Sequence, residues 1–232
     1  MLVVVIPQSI VAEAYRVLRT NLQFSSVDKP LKKIMITSSV PQEGKSLVIG
    51  NLAISIASTG KKTLLVDADL RRPKQHKNFL LENHIGLSNL LAENLPLDKV
   101  LHTTKVDTLH VITSGPVPPN PAEMLGSDRM YKFIEEVSSI YDTILFDTPP
   151  VNSVADASIL SPRMDGIILV IEAGSTEREA SIIAKQQLEK VNARILGVVL
   201  NKVQQKGGSY YYYYYYYGED NRKIRKKKKR WK

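Results

Sequence analysis

A nine-residue stretch near the N-terminus has the residue types and spacing of a phosphate-binding loop, or P-loop. It reads SSVPQEGKS, residues 38–46, and lies between an apolar run and a helix-like run, the strand–turn–helix setting such a loop requires. Backbone N–H groups of the turn and the positive end of the next helix can hold phosphate oxygens. Lys45 would reach the outer phosphates and the Ser46 hydroxyl would bind Mg²⁺. The nucleotide-binding residues predicted here are Ser39, which replaces the usual first glycine, with Pro41, Gln42, Glu43, Gly44, Lys45, Ser46 and Leu47.

Carboxylates follow two further apolar runs. Asp67 and Asp69 follow residues 63–66, and two aspartates two residues apart at a strand end should point the same way. At the carboxyl end of a parallel strand they would face a nucleotide crevice, where such a pair suits Mg²⁺ and one member could accept a hydroxyl proton. Asp147 closes the run 143–146 in the Walker B arrangement, which holds Mg²⁺ through water. The predicted catalytic set is Lys45, Asp67, Asp69 and Asp147, and the predicted metal set is Ser46, Asp69 and Asp147. Either Asp67 or Asp69 could be the base.

Six buried strands alternate with helices in this sequence. They are expected at residues 33–37, 63–66, 109–113, 143–146, 166–171 and 195–200, whereas residues 74–105 look helical and irregular. This alternation predicts an α/β fold with a doubly wound, mainly parallel sheet, whose crevice lies at the carboxyl ends of the strands. Asn201 follows the last strand and would reach an adenine edge, unless it is simply a turn asparagine.

A helix capped by Ser9 is expected to run to about Phe24. Its packed face is predicted from helical spacing to contain Ile10, Ala14, Val17 and Leu22. Glu13, Arg16 and Arg19 would lie on the opposite side. Such a stripe is either a solvated face or an interface with a neighbouring subunit, because arginine forks suit interface carboxylates.

Charge is distributed unevenly along the 232 residues. Of the 32 Lys and Arg residues, nine lie in residues 222–232, which leaves 23 against 23 Asp and Glu in the rest. A neutral body with few aromatic residues argues against a nucleic-acid-binding module. No cysteine is present, and the apolar run 1–6 is too short for a signal sequence or a membrane span, so we expect a cytoplasmic protein. The predicted organisation is a domain of residues 1–206, with residues 1–30 as an N-terminal arm and oligomerisation helix, and a flexible tail of residues 207–232.

The tail contains eight consecutive tyrosines, predicted as phosphate acceptors: Tyr210, Tyr211, Tyr212, Tyr213, Tyr214, Tyr215, Tyr216 and Tyr217. One packed face cannot bury them all, and a flexible tether makes delivery to a nucleotide site effectively intramolecular. The basic run that follows suits anionic lipid headgroups. Phosphorylation adds about −1.5 to −2 charges per tyrosine. We therefore predict an electrostatic switch, in which the modified tail leaves an anionic membrane surface.

The motifs EAYRVLR, SSVPQEGKS, LLVDADLRRP, GPVPPNPAE, LFDTPP and LNK, with the terminal tyrosines, resemble in that order the bacterial tyrosine kinases of capsule and exopolysaccharide synthesis. These are P-loop proteins related to the MinD and ParA ATPases. The resemblance implies ATP and Mg²⁺ at Lys45 and Ser46, and metal binding and proton acceptance at the three aspartates. It also implies a ring-like homo-oligomer through Glu13, Arg16 and Arg19, and tyrosine phosphorylation in trans. A membrane adaptor of the polysaccharide chain-length family would activate the kinase at the inner face of the cell membrane.

An alternative is a MinD- or ParA-like ATPase that acts as a nucleotide-dependent positioning switch, without a protein substrate. That group usually carries a lysine five residues before the P-loop lysine. Val40 occupies this place here, and the tyrosine run also disfavours the alternative.

Overall fold

The computed structural model describes residues 9–26, 30–93 and 95–203. The apolar run of residues 1–6, the tyrosines and the basic run lie outside these ranges. Helices are α1 Ile10–Phe24, α2 Lys45–Ala57, α3 Gln75–Phe79, α4 Leu87–Glu93, α5 Leu97–Val100, α6 Pro121–Gly126, α7 Asp128–Ile140, α8 Asp156–Leu160 and α9 Arg178–Lys190. Strands are β1 Lys33–Ser38, β2 Thr63–Asp67, β3 Leu101–Thr103, β4 Leu109–Ile112, β5 Thr143–Asp147, β6 Gly166–Glu172 and β7 Ile195–Asn201.

The strands form one sheet in the order β3-β4-β2-β5-β1-β6-β7, parallel except for the antiparallel pair β3 and β4. Strand β1 lies inside the sheet next to the middle strand β5, with β6 on its other side. Ligands of doubly wound sheets bind at the carboxyl ends of such central strands. The predicted fold class is confirmed, and the P-loop follows β1 at this edge.

Helices cover both faces of the sheet, so its inner strands are apolar on both sides. In β5, Ile144 and Phe146 pack on one face, whereas Leu145 joins the cluster on the other face with α2. Every residue of α2 except Leu47 is buried, because the helix lies between the sheet and α1. The start of α2 is therefore firmly held, and with it the P-loop.

Two details differ from the sequence prediction. The region 74–105 was expected to contain no strand, but residues 101–103 pair with β4 at the edge of the sheet. The predicted packed face of α1 was wrong for Ala14 and Val17, which are exposed, and right for Leu22, which is buried together with Ala12. Val17 leaves 46% of its surface exposed because its side of the helix points away from α2.

The unit that carries the sheet ends at Asn201. Across residues 9–26, 30–93 and 95–203, no helix is both long and apolar enough to cross a membrane.

Candidate active site

The P-loop connects β1 to α2 through an unusual backbone path. Gln42 and Gly44 have φ angles of 71° and 90°, in the left-handed region that favours glycine. Gly44 is the N-cap of α2 and offers no side chain to the first N–H groups of the helix. These groups lack intrahelical partners and create a positive site for an anion. The Ser39 hydroxyl oxygen is also buried without a hydrogen-bond partner among the described residues. The loop therefore fits the phosphates of a nucleotide.

The loop is fastened to neighbouring elements through Glu43, which is only 1% exposed. Its carboxylate accepts hydrogen bonds from the backbone N–H of Val40, at 2.9 Å, and from the hydroxyl of Thr176 in the segment after β6. The Asn201 side chain donates to the Glu43 carbonyl at 2.8 Å. The Glu43 side chain therefore stabilises the loop itself. The backbone of the loop is left to bind a nucleotide. Asn201 also lies against the P-loop, while its predicted contact with adenine stays a prediction.

Lys45 is the centre of a buried cluster of charged groups. Its Nζ atom lies 2.8 Å from Asp69 Oδ2, 3.4 Å from Asp147 Oδ1 and 3.3 Å from the Ser46 hydroxyl. Sheet register places Asp67 directly beside Asp147. The structure therefore brings together all four predicted catalytic residues and the predicted metal set.

Asp67 and Asp69 belong to the same charged cluster but have different surroundings. Asp67 is completely buried and accepts hydrogen bonds from the backbone N–H groups of Asp69, Lys74 and Gln75, at 3.3, 3.0 and 2.9 Å. Asp69 lies beyond the end of β2 and lines the cleft. The alternation of a strand no longer applies there, since the chain turns and the N–H of Arg72 binds Asp69 Oδ1 at 2.9 Å.

Burial shifts the protonation of this cluster. It raises the pKa of Asp67 to about 8, with a further upward contribution from Asp147. Burial likewise raises the pKa of Asp147, although Lys45 opposes this shift. Burial alone would lower the pKa of Lys45, but attraction to Asp147 and Asp69 outweighs it and the pKa is raised. Lys45 is therefore a cation at neutral pH, as a phosphate-binding lysine must be.

Gln75 is a component of the site that the sequence did not reveal. Its buried side-chain amide donates to Asp147 Oδ2 at 2.7 Å and to the Ser46 carbonyl at 3.0 Å. It thereby joins β5 to the first turn of α2 and orients the Asp147 carboxylate. No short motif marks such a residue, because its partners are distant in the sequence.

A cleft of about 620 Å³ opens above the cluster, within the range of small-molecule sites. Arg71 on its wall is fixed by two bonds to the buried Asp156, Nε to Oδ2 at 2.9 Å and Nη2 to Oδ1 at 3.0 Å. No sequence motif predicts this pair. The lining contains P-loop residues, basic residues and apolar residues: Pro41, Gln42, Gly44, Lys45, Ser46, Leu47, Asp69, Arg71, Arg72, Lys74, Asn78, Pro149, Pro150, Ser153 and Val154.

The residues present fit a magnesium ion that is shared with phosphates. Mg²⁺ is usually bound by one or two carboxylates together with substrate phosphates and waters. Ser46, Asp69 and Asp147 supply one hydroxyl and two carboxylates close to Lys45. In the described part of the chain, no three His, Cys, Asp or Glu side chains could hold a metal without such help.

The predicted oligomerisation stripe lies on α1, away from this cluster. Glu13 and Arg16 pair with each other at 2.5 Å. Arg19 instead turns inward and donates from Nη1 to the Ser55 carbonyl at 2.6 Å, which ties α1 to α2. The expectation of three outward-facing side chains is therefore wrong for Arg19 within a single chain. The predicted phosphate acceptors Tyr210 to Tyr217 lie outside the described residues.

Comparison with known proteins agrees with this site. Residues 31–195 match a family described as an AAA domain. The chain is 46% identical over 195 residues to the tyrosine-protein kinase YwqD of Bacillus subtilis, covering 84% of this chain and 82% of that protein. Among solved structures, the kinase domain of Escherichia coli tyrosine kinase ETK has a TM-score of 0.85 at 37% identity, covering 89% of this chain and 81% of that one. The chimerical protein CapA2B2 also has a TM-score of 0.85, at 36% identity over 88% of this chain and 90% of that one.

The MinD cell division protein of Aquifex aeolicus is a more distant neighbour, with a TM-score of 0.61 at 25% identity over 75% of this chain and 70% of that one. The shared architecture confirms a MinD-like P-loop fold. Identity and coverage are both higher for the kinases, and the predicted resemblance is confirmed: the chain belongs to the family of bacterial tyrosine-protein kinases.

Proposed function

We propose that this chain transfers the γ-phosphoryl group of ATP to tyrosines 210–217 of a second copy, and so regulates capsule or exopolysaccharide synthesis and export. The observation that carries this proposal is the Lys45 ammonium group, held between Asp69 and Asp147 at a P-loop cleft. Such a site neutralises and positions phosphates, which is most of what phosphoryl transfer needs.

In the proposed reaction, the P-loop N–H groups and Lys45 hold the phosphates. A tyrosine oxygen bonds to the γ-phosphorus, the bond to the leaving oxygen of ADP breaks, and the phenolic proton passes to a carboxylate. We assign this last role to Asp69, because it lines the cleft whereas Asp67 is fully buried. Ser46, Asp69 and Asp147 would hold Mg²⁺, which supplies charge neutralisation when bound. Asp67 would instead anchor the turn that carries Asp69 through its three backbone hydrogen bonds.

Transfer between copies requires an oligomer, and α1 offers a surface for one. Val17 and Phe24 are exposed on the side of this helix that carries Glu13, Phe24 by 76%, and Glu13 pairs with Arg16. Exposed apolar side chains rimmed by charge are typical of protein interfaces. We propose that this face of α1, with Glu13 and Arg16, joins neighbouring subunits in a ring.

A membrane adaptor of the polysaccharide chain-length family is the proposed activator, with the kinase at the inner face of the cell membrane. This part of the proposal is supported by the family to which the chain belongs. Anionic lipid would be a second contact, through the basic residues 222–232.

The experiment is incubation of the purified chain with ATP and Mg²⁺, followed by mass spectrometry of the tail. Phosphate on tyrosines 210–217 is expected for the wild type and is expected to be absent from Lys45→Met. ATP hydrolysis without phosphotyrosine would contradict the proposal and favour a MinD-like switch.

Transfer in trans is tested by mixing two full-length variants. The donor has all eight tail tyrosines replaced by phenylalanine, and the acceptor is Lys45→Met with its tyrosines intact. Phosphate on the acceptor tail is expected only when the donor is present. An unmodified acceptor, with a wild-type chain that still phosphorylates itself, would mean transfer within one chain.

A further inference from the structure

The cleft lining contains two cations without an ion-pair partner among the described residues. Lys45 is paired with Asp69 and Asp147, and Arg71 is paired with Asp156. Arg72 and Lys74 are exposed and line the same cleft. Neither of their side chains makes an ion pair with any residue that the structure describes.

The backbone of these two residues is held in place by Asp69 and Asp67. The N–H of Arg72 donates to Asp69 at 2.9 Å, and the N–H of Lys74 donates to Asp67 at 3.0 Å. Two cations are thus presented from a fixed turn beside the carboxylate proposed to accept the proton. An anion bound there would lie next to the reacting hydroxyl group.

The cleft lining also contains three apolar residues of the segment after β5, Pro149, Pro150 and Val154. These residues suit the ring of a tyrosine, and Arg72 and Lys74 suit a phosphate. A run of consecutive tyrosines supplies both, because after the first transfer a phosphotyrosine lies next in sequence to an unmodified one. The unmodified run has no charge, so its attraction to Arg72 and Lys74 begins only with the first phosphate.

We propose that Arg72 and Lys74 bind phosphotyrosine beside the tyrosine that is being phosphorylated, so that an already phosphorylated tail is the preferred acceptor. This inference rests on the proposed function, that is, on transfer to tyrosines 210–217. Its consequence is that tails become multiply phosphorylated in bursts, with few singly modified chains. If the two cations instead bind the phosphates of ATP, replacing them would slow every transfer equally.

The test measures the rate constants of the first and second phosphates on one acceptor. The acceptor is full-length Lys45→Met, the donor is the chain with its tail tyrosines replaced by phenylalanine, and intact-mass spectrometry counts phosphates per acceptor over time. The second rate constant is expected to exceed the first about tenfold, as charge-assisted hydrogen bonds to phosphate would give. A donor carrying Arg72→Gln and Lys74→Gln should bring this ratio close to one.

A donor carrying Lys77→Gln and Lys105→Gln is the matched control. It loses the same charge from two exposed lysines outside the cleft lining, and should keep the high ratio. A ratio near one for the unaltered donor would overturn the inference while leaving the proposed function intact. The inference also fails if the Arg72 and Lys74 changes slow both steps equally and leave the ratio unchanged. Absence of any phosphate on the acceptor would overturn both, because no phosphorylated tail would then exist to be bound.

Discussion

Replacing Thr176 by valine tests whether the P-loop is held in shape from outside. The Thr176 hydroxyl donates to the Glu43 carboxylate and accepts from the N–H of Glu172 at 2.9 Å. Valine has nearly the same shape but can do neither. Since Glu43 is 1% exposed, water cannot readily replace the lost donor.

The expected magnitude follows from the charge of the acceptor. A hydrogen bond to a charged group contributes about 1.5–3 kcal/mol. If loss of this hydrogen bond destabilises the whole domain, the free energy of unfolding in urea falls by that amount. If only the loop opens, KM for ATP rises about tenfold to a hundredfold, since about 1.4 kcal/mol corresponds to tenfold. Thr176→Ser keeps the hydroxyl and should resemble the wild type in both measurements.

A double-mutant cycle separates the bond to Glu43 from the bond to Glu172. Glu43→Ala, Thr176→Val and the combination are compared for unfolding and for KM. The two changes should be strongly non-additive, because either one already breaks the same bond. Additive effects, or a serine variant as damaged as the valine variant, would refute this account of the loop.

Three further experiments, a substitution, a pH series and a vesicle-binding comparison, each have an expected direction. Gly44→Ala should raise KM for ATP sharply, because alanine at φ 90° costs about 1–2 kcal/mol and its Cβ would lie 2.2 Å from Asn201 Nδ2. Adding Asn201→Ala removes the clash and should restore only part of the lost affinity. Full recovery would exclude backbone strain as a cause. In ligand-free protein with chelator, the free energy of unfolding should fall as pH rises from about 4 towards 8, because folded Asp67 retains its proton up to a pKa of about 8 and the unfolded chain releases it near 4. Asp67→Asn should flatten this slope in urea titrations, and an unchanged slope would mean that other groups cause it. In sedimentation with anionic vesicles, the unphosphorylated chain should bind more tightly than the phosphorylated one, by about 1 kcal/mol per basic residue of 222–232 that reaches the surface; equal binding would exclude the switch.

The phosphate-binding part of the site could be predicted from sequence because its chemistry is local. The loop, its lysine and the helix that follows are contiguous, and Asp147 is marked by the apolar strand before it. Asp67 was also identified, but its environment was not. Its hydrogen bonds come from N–H groups of the turn beyond the end of β2, where strand alternation gives no guidance.

Partners that are distant in sequence could not be predicted. Gln75 and Thr176 belong to the site through hydrogen bonds to Asp147 and Glu43, respectively. The residues next to them in the sequence do not indicate these bonds. On α1, the spacing of Tyr15, Leu18 and Leu22 was as regular as the spacing chosen for the packed face. The choice between the two faces is made by α2, against which these side chains pack.

The chain is similar in fold to both kinases and MinD proteins, so the features that distinguish the two groups must lie outside the parts they share. A shared fold places the P-loop and the strand-end carboxylates at the same edge of the sheet, so these parts alone would serve hydrolysis as well as transfer. A kinase must in addition admit a phenol and exclude water from the attacking position. In this chain, the turn after β2 supplies two cations that have no ion pair among the described residues, and the segment after β5 adds the apolar residues Pro149 and Pro150 to the cleft lining. Tyrosine transfer should therefore be more sensitive than ATP hydrolysis to changes in these two parts of the lining, since only transfer requires the acceptor to be held there.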